Sequence, residues 1–141
     1  MMERLFIDTN VILDLLGERE PFYVAAAKIA TLADIGQIRI VTSALSYANT
    51  FYILSKYYGK LTANDKIKRF KVLSITAELT DKVIDQALVS KFGDFEDALQ
   101  YYSALTAKSH LIITRNVKDF KAAQIPVMTP NEYLKRRMNK T

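Results

Sequence analysis

Residues 4–13 read RLFIDTNVIL, and the rest of the fold can be worked out from this segment. Residues 4–7 form a short apolar run that ends at Asp8, and this pattern predicts a buried strand. Thr9 or Asn10 can then cap a helix that begins at Val11. A strand that leads directly into a helix is typical of α/β proteins with a parallel sheet.

The same alternation of strand and helix patterns continues along the chain. Further strands are predicted at residues 38–42, 72–75, 111–114 and 126–128. Further helices are predicted at residues 21–35, 44–58, 62–70, 81–88 and 94–105 and from Pro130 onward. In the helix after Asp94, helical spacing predicts one apolar face, with Asp97 roughly opposite, made of Phe95, Ala98, Leu99, Tyr102 and Leu105. We therefore expect one domain over residues 1–141, with helices on both faces of a parallel sheet.

The composition narrows the kinds of site that the chain can build. Its 141 residues include no cysteine and one histidine, His110, which excludes disulfides, thiolate sites and multi-histidine zinc sites. Any metal must therefore have oxygen ligands, which points to Mg²⁺ or Mn²⁺. The net charge of +5 mildly favours polyanion binding. No apolar run has the length of a membrane span and the N-terminus lacks a signal-peptide layout, so we expect a cytoplasmic protein without membrane attachment.

Several polar side chains follow the predicted strands, at the edge where open parallel sheets bind ligands. They are Asp8 after the first strand, Ser43 after the second, Asn116 and Asp119 after the fourth, and Asp94, Glu96 and Asp97 at the start of the preceding helix. If the sheet is parallel, these groups converge at one end. Carboxylates that converge repel each other, and a bound cation relieves the repulsion. Mg²⁺ needs only one or two carboxylates and can activate water against a phosphodiester, so this chemistry does not require histidine.

Four segments, in this order and spacing, resemble the PIN-domain family, which includes the VapC-type toxins. They are residues 6–11 (FIDTNV), 42–45 (TSAL), 94–98 (DFEDA) and 114–120 (TRNVKDF), and a terminal element at 128–130 (MTP) also fits. The resemblance covers nearly the whole chain. It implies a three-layer α/β/α fold with a central, mainly parallel five-stranded sheet, metal-dependent endoribonuclease activity on RNA and often a homodimer. It also implies a partner antitoxin, as in many members.

The resemblance matches two acids directly and departs at two others. Asp8 matches the family's first acid and Asp97 its third. The second and fourth acids fall on Asn49 and Asn116, whose amide oxygens can bind a hard cation without contributing charge. Asp119 is a nearby substitute for Asn116, whereas Asn49 has no obvious substitute.

These arguments predict three groups of site residues. The catalytic candidates are Asp8, Asp97, Asp94 and Asp119. The candidate ligands of Mg²⁺ or Mn²⁺ are Asp8, Asp97, Asn116 and Asp119. The candidates for substrate binding are Asn49, which would line the site, Arg115, which would contact phosphate, and Thr114 and Ser43, whose hydroxyls can hold a metal-bound water.

Most of these residues also have a purely structural interpretation. Asp8 can cap the first helix. Asp94 is a natural N-cap, and Asp97 three residues later resembles a capping box. Ser43 can cap the next helix, and Asn116 suits a turn.

Three functions compete at this point. The first is a metal-dependent endoribonuclease that hydrolyses RNA phosphodiesters with a water activated by Mg²⁺ or Mn²⁺. The second is a catalytically weak or inactive PIN scaffold that binds RNA or a protein partner, favoured by the asparagines at two acid positions. The third is a phosphotransfer domain, such as a receiver or a haloacid-dehalogenase-like phosphatase. It fits least, because Asp8 is followed by Thr9 and Asn10 where those proteins have further acids.

Overall fold

The strand before Asp8 lies at the centre of a five-stranded sheet in the computed structural model, which describes residues 2–139. The strands are β1 (Glu3–Ile7), β2 (Ile38–Ser43), β3 (Ser74–Ala77), β4 (Leu111–Ile113) and β5 (Val127–Met128). Their order is β3-β2-β1-β4-β5, and each of these pairings is parallel. The predicted parallel sheet is confirmed, with β1 paired on both sides.

Helices cover both faces of this sheet. They are α1 (Thr9–Leu16), α2 (Tyr23–Asp34), α3 (Ala44–Tyr58), α4 (Lys60–Leu73), α5 (Asp81–Leu88), α6 (Phe95–Thr106) and α7 (Pro130–Asn139), with a 3₁₀ helix at Val117–Phe120. Side chains of β1 alternate between two cores: Leu5 and Ile7 pack with α1, α2 and α7, and Phe6 packs with α6. The predicted three-layer α/β/α architecture is therefore confirmed. Within residues 2–139, every helix is too short or too polar to span a bilayer.

The turn from β1 into α1 is tighter than the sequence suggested. Asp8, not Thr9 or Asn10, is the N-cap, and its side chain accepts a hydrogen bond from the Thr9 backbone N–H. Of the caps that the sequence allowed, Asp8 is the observed one, because the helix already begins at Thr9. The last strand residue and the cap are therefore adjacent, which fixes the Asp8 carboxylate at the carboxyl end of the central strand.

The third strand begins later than predicted. The apolar run at residues 72–75 was expected to be a strand, but α4 continues through Leu73. Val72 is 85% exposed and belongs to the last turn of this helix, not to a buried strand. The strand starts at Ser74, which pairs with Ile40 and whose hydroxyl donates to the Phe70 carbonyl at the helix end.

The buried side of α6 is rotated from the predicted apolar face. Phe95 is 49% exposed and Leu105 is 36% exposed, whereas Tyr101 and Ala104 are buried against the sheet. Asp97 precedes Tyr101 by four residues and therefore continues the same row of side chains. The rotation brings Asp97 toward the sheet instead of directing it away from the core, as the predicted face implied.

Candidate functional site

A cleft of about 360 Å³ opens at the carboxyl ends of β1 and β4. It is lined by Asp8, Thr9, Asn10, Leu13, Asn49, Tyr52, Ile53, Glu96, Asp97, Asn116 and Asp119. The cleft thus brings together five of the predicted site residues, namely Asp8, Asn49, Asp97, Asn116 and Asp119. Their convergence follows from the parallel sheet, and their chemical roles remain predictions.

Asp8 is held in place on both carboxylate oxygens. One oxygen accepts from the Thr9 backbone N–H at 2.8 Å, and the other accepts from the Thr114 hydroxyl at 2.8 Å. The Thr114 hydroxyl in turn accepts from the Asn116 N–H at 3.0 Å. Burial raises the pKa of Asp8 above its ordinary value, although these hydrogen bonds and the charge of Arg115 act in the opposite direction. Each oxygen retains a lone pair for a further ligand.

Asp97 stands among other acids at the start of α6. Asp94 caps this helix by accepting from the Asp97 backbone N–H at 3.0 Å, so the structural role falls on Asp94. The Asp97 carboxylate has no such role. Burial and the negative charges of Asp94, Asp119, Asp8 and Glu96 raise the pKa of Asp97 to about 7. A cation in the cleft would lower this electrostatic cost.

Two amides occupy the positions where the sequence resemblance leads us to expect acids. Asn49 of α3 donates from its side-chain nitrogen to Glu96 at 3.4 Å, a long contact between α3 and α6. Asn116 precedes the 3₁₀ helix but makes no capping hydrogen bond with its side chain. The amide oxygens of both residues are consistent with further oxygen ligands for a hard cation.

The four other predicted residues lie outside this lining. Thr114 is buried and orients Asp8. Ser43 is buried and caps α3 by accepting from the Ser46 N–H at 3.0 Å, so it lies beneath the cleft. Asp94 caps α6 and lines an adjoining groove. Arg115 is paired with a buried acid that the sequence analysis did not single out.

That acid is Asp14, near the end of α1, whose side chain is 1% exposed. Arg115 donates to both of its oxygens, at 2.7 and 3.3 Å, and Arg19 donates from Nε at 3.0 Å. The Arg115 guanidinium also lies 4.0 Å from the ring centroid of Phe22. The one available signal was an acid inside the otherwise apolar helix segment VILDLL at residues 11–16.

A buried polar cluster supports the cleft from below, and sequence reasoning missed most of it. Gln100 of α6 accepts from Ser43 at 2.5 Å and donates to Ser46 at 3.0 Å and to Thr9 at 3.4 Å. Thr9 and Ser46 also share a hydrogen bond of 2.8 Å. We call these four residues the Gln100 cluster. Thr9 follows Asp8, Ser46 lies one helical turn before Asn49, and Gln100 lies one helical turn after Asp97, so the cluster links the elements that carry the cleft residues.

The oxygen donors of the cleft can be compared with what a hard cation requires. Within residues 2–139, no three side chains of the types His, Cys, Asp and Glu are grouped closely enough to hold a metal ion. The cleft instead combines carboxylates with amide oxygens. Mg²⁺ commonly takes one or two carboxylates and keeps waters or substrate phosphates as its remaining ligands, and the residues present fit that mode of binding.

A parallel α/β fold with an acidic cleft at its strand ends defines a class of proteins that includes metal-dependent nucleases. A family model described as PIN domain matches residues 4–118, and the chain belongs to this family. The resemblance noted in the sequence is thereby confirmed. The chain is 30% identical over 139 residues to ribonuclease VapC1 of Aquifex aeolicus, covering 95% of both chains.

Solved structures share the fold at lower sequence identity. VapC20 of Mycobacterium tuberculosis, a sarcin-ricin loop cleaving toxin, matches with a TM-score of 0.66 and 19% identity, over 86% of this chain and 95% of that one. DNA-bound VapBC of Salmonella typhimurium matches with a TM-score of 0.68 and 13% identity, over 92% of this chain and 99% of that one. A toxin-antitoxin complex from Klebsiella pneumoniae has a TM-score of 0.67 and 20% identity, over 89% and 97%.

Proposed function

We propose that this protein is a divalent-metal-dependent endoribonuclease, with Asp8, Asp97 and Asp119 as its principal acids. The observation that carries the proposal is the convergence of these carboxylates in one cleft without a neutralising base in its lining. Membership of the PIN-domain family and the likeness to a protein named ribonuclease VapC1 support the same activity. Mg²⁺ or Mn²⁺ bound there would activate water and neutralise charge on the phosphodiester.

The chain's own residues have separate tasks in this proposal. Asp8, fixed by Thr9 and Thr114, presents carboxylate oxygens in one orientation. Asp97 contributes charge to the cleft, and because its pKa is raised to about 7, a cation bound there would favour the ionised carboxylate. Asn49 and Asn116 contribute neutral oxygens. Asp94 keeps the first turn of α6 in place by capping it.

The proposal extends to partners and location. Relatives of this fold include toxin–antitoxin complexes, which supports a cognate antitoxin as a protein partner of this chain. We also propose that residues 1–141 act as one domain, that two copies associate as a homodimer, and that the protein acts on RNA in the cytoplasm. Light scattering of the purified protein measures the oligomeric state.

A catalytically weak or inactive scaffold that binds RNA or a protein is the second candidate. The observation that favours it is the pair of amides, Asn49 and Asn116, which reduces the negative charge available to hold a cation. In that case the cleft would bind RNA or a partner without cleaving a phosphodiester.

The deciding experiment is incubation of the purified protein with a mixed RNA pool in Mg²⁺, in Mn²⁺ and in chelator. We expect metal-dependent cleavage that is lost in Asp8→Ala. The matched control is Asp85→Ala, which removes an exposed acid on α5 that lies outside the cleft and should leave cleavage unchanged. If the wild-type protein neither cleaves RNA nor binds metal by calorimetry, the scaffold function replaces the nuclease.

A further inference from the structure

A second groove, of about 240 Å³, continues the cleft on the side of Asp97 and Asp119. Those two acids line both spaces, so the groove and the cleft are adjacent. Its other walls carry Lys91, Lys118 and Lys121, and we call it the lysine groove. Lys91 comes from the turn before α6, and the other two come from the 3₁₀ helix and its C-cap.

The three lysines are exposed and stand in a groove that also holds three acids. Asp94, Asp97 and Asp119 line the same groove. Nevertheless, the salt bridges found within residues 2–139 include none of Lys91, Lys118 and Lys121. Their ammonium groups therefore remain available to an anion from outside.

A polyanion needs such a surface in order to approach this cleft. The acids of the cleft repel an RNA strand, and a metal ion offsets this repulsion only at the scissile phosphate. Flanking phosphates require other cations, which the lysine groove offers immediately beside the site. Basic residues at this position thus reduce the repulsion between the acids of the cleft and the phosphates of the RNA.

Aromatic rings accompany the basic residues on both sides of the cleft. Phe92 is a partly exposed wall of the lysine groove. On the other side, Tyr52 lines the cleft, is 62% exposed, and has the Lys56 Nζ 4.3 Å from its ring centroid. Lysines for the backbone and aromatic rings for the bases are the two kinds of side chain that bind single-stranded nucleic acid.

We propose that single-stranded RNA is bound along the lysine groove, with its backbone on Lys91, Lys118 and Lys121, crosses the cleft and stacks a base on Tyr52. The proposal rests on the nuclease function proposed above, since it describes how the substrate reaches that site. It identifies residues that set affinity for the strand and that take no part in holding the metal.

The test is the salt dependence of RNA binding, measured in chelator so that binding is separate from cleavage. The probe is a fluorescently labelled oligouridylate of about 12 nucleotides, followed by anisotropy over a series of KCl concentrations. For the triple variant Lys91→Gln, Lys118→Gln, Lys121→Gln, we expect the slope of log K against log salt to decrease by roughly 2, since each single-strand phosphate contact contributes about 0.7. At 0.1 M salt this corresponds to a roughly hundredfold loss of affinity.

A second triple variant controls for net charge. Lys60→Gln, Lys68→Gln, Lys71→Gln removes the same charge from exposed positions on α4 that line neither the cleft nor the lysine groove. We expect it to keep nearly the wild-type slope. Equal losses in the two variants would overturn the proposal, because binding would then follow overall charge.

Two further outcomes separate this proposal from the nuclease proposal. Metal-dependent cleavage with an unchanged slope in the lysine-groove variant would leave the nuclease intact and refute the RNA path. If that variant keeps its RNA slope but loses salt-dependent binding of a polyglutamate peptide, the groove belongs to an acidic protein partner, and the proposal fails. All six substitutions lie at exposed positions, so a thermal melt should confirm folded protein in each case.

Discussion

Asp8 and Asp14 lie six residues apart in the chain but differ in whether a positive charge is bound to them. Asp14, which is 1% exposed, is bound by the guanidinium groups of Arg19 and Arg115. Asp8, six residues earlier, faces Asp97 and Asp119 across an open cleft. In this fold, a buried acid with a structural role, Asp14, is therefore neutralised by arginines. In the cleft the acids repel one another, and this repulsion supports the proposal that a cation binds there.

The largest effect on stability should come from replacing Asp14, the carboxylate that the arginines neutralise. Asp14→Asn removes a buried charge and leaves two arginines without their partner, so we expect a loss of about 3 kcal/mol in the free energy of unfolding. Urea denaturation measures it. The control is Asp65→Asn, which breaks the exposed pair between Asp65 and Arg69 and should cost less than about 0.5 kcal/mol. Similar losses in both variants would contradict the assigned role of Asp14.

The next largest effect should come from the Gln100 cluster, whose uncharged side chains lie beneath the cleft. Gln100→Leu removes the centre of the Gln100 cluster and its hydrogen bonds to the hydroxyls of Ser43, Ser46 and Thr9, which should cost about 2 kcal/mol in stability. It should also weaken Mn²⁺ binding measured by calorimetry, because Asp8 and Asp97 lose their common support. Ser103→Ala is the control, since Ser103 lies buried on the same helix and its hydroxyl has no hydrogen-bond partner within residues 2–139. We expect it to preserve Mn²⁺ binding, and a weakening as large as that of Gln100→Leu would argue against a positioning role.

The acids of the cleft should make stability depend on pH. Asp97 has an ordinary pKa of 3.8 and a pKa of about 7 in the folded protein, so the folded state holds the proton more tightly than the unfolded state. Its contribution is present below about pH 4 and is lost as the pH rises through 7. In chelator, the melting temperature of the wild type should therefore fall over this range, and Asp97→Asn should fall less steeply. Identical pH profiles for the two proteins would remove this electrostatic argument.

The smallest effect should come from adding charge to the cleft. Asn49→Glu places a carboxylate where the family pattern has an acid, and we expect Mn²⁺ affinity to increase roughly fivefold from a charge interaction of about 1 kcal/mol. The metal-free protein should become less stable, because the new charge faces Glu96 instead of donating to it. Asn49→Gln is the control for side-chain length. A calorimetric titration in which Asn49→Glu binds Mn²⁺ no better than Asn49→Gln would place this residue outside the metal's reach.

Local patterns in the sequence were sufficient to predict much of the fold and part of the candidate site. Apolar runs and helix caps predicted the parallel sheet, and the strand-end rule then predicted that Asp8, Asp97, Asn116 and Asp119 would share an edge. The boundary between α4 and β3 was wrong because a short apolar run fits the end of a helix as well as a strand. Only the pairing of Ser74 with Ile40 in the sheet determines where the helix ends and the strand begins.

The residues that sequence reasoning missed are those whose partners are distant in the chain. Asp14 and Arg115 are 101 positions apart, and Gln100 is 91 positions from Thr9. Polar residues inside apolar helices are visible in a sequence, but whether they are buried and what satisfies them depends on packing between elements. The rotation of α6 had the same origin, because contact with the sheet, and not the helix's own periodicity, selected its buried side.

The central position of β1 also affects the order in which the protein becomes functional during synthesis. Asp8 is translated early, but the hydroxyl that orients it, on Thr114, comes 106 residues later. A nascent chain that ends before Asp94 holds Asp8 and Asn49 but lacks Asp97, Asn116 and Asp119 of the cleft. The nuclease activity that we propose therefore requires residues from both ends of the chain, so a nascent chain acquires the complete cleft only after Asp119 has been translated.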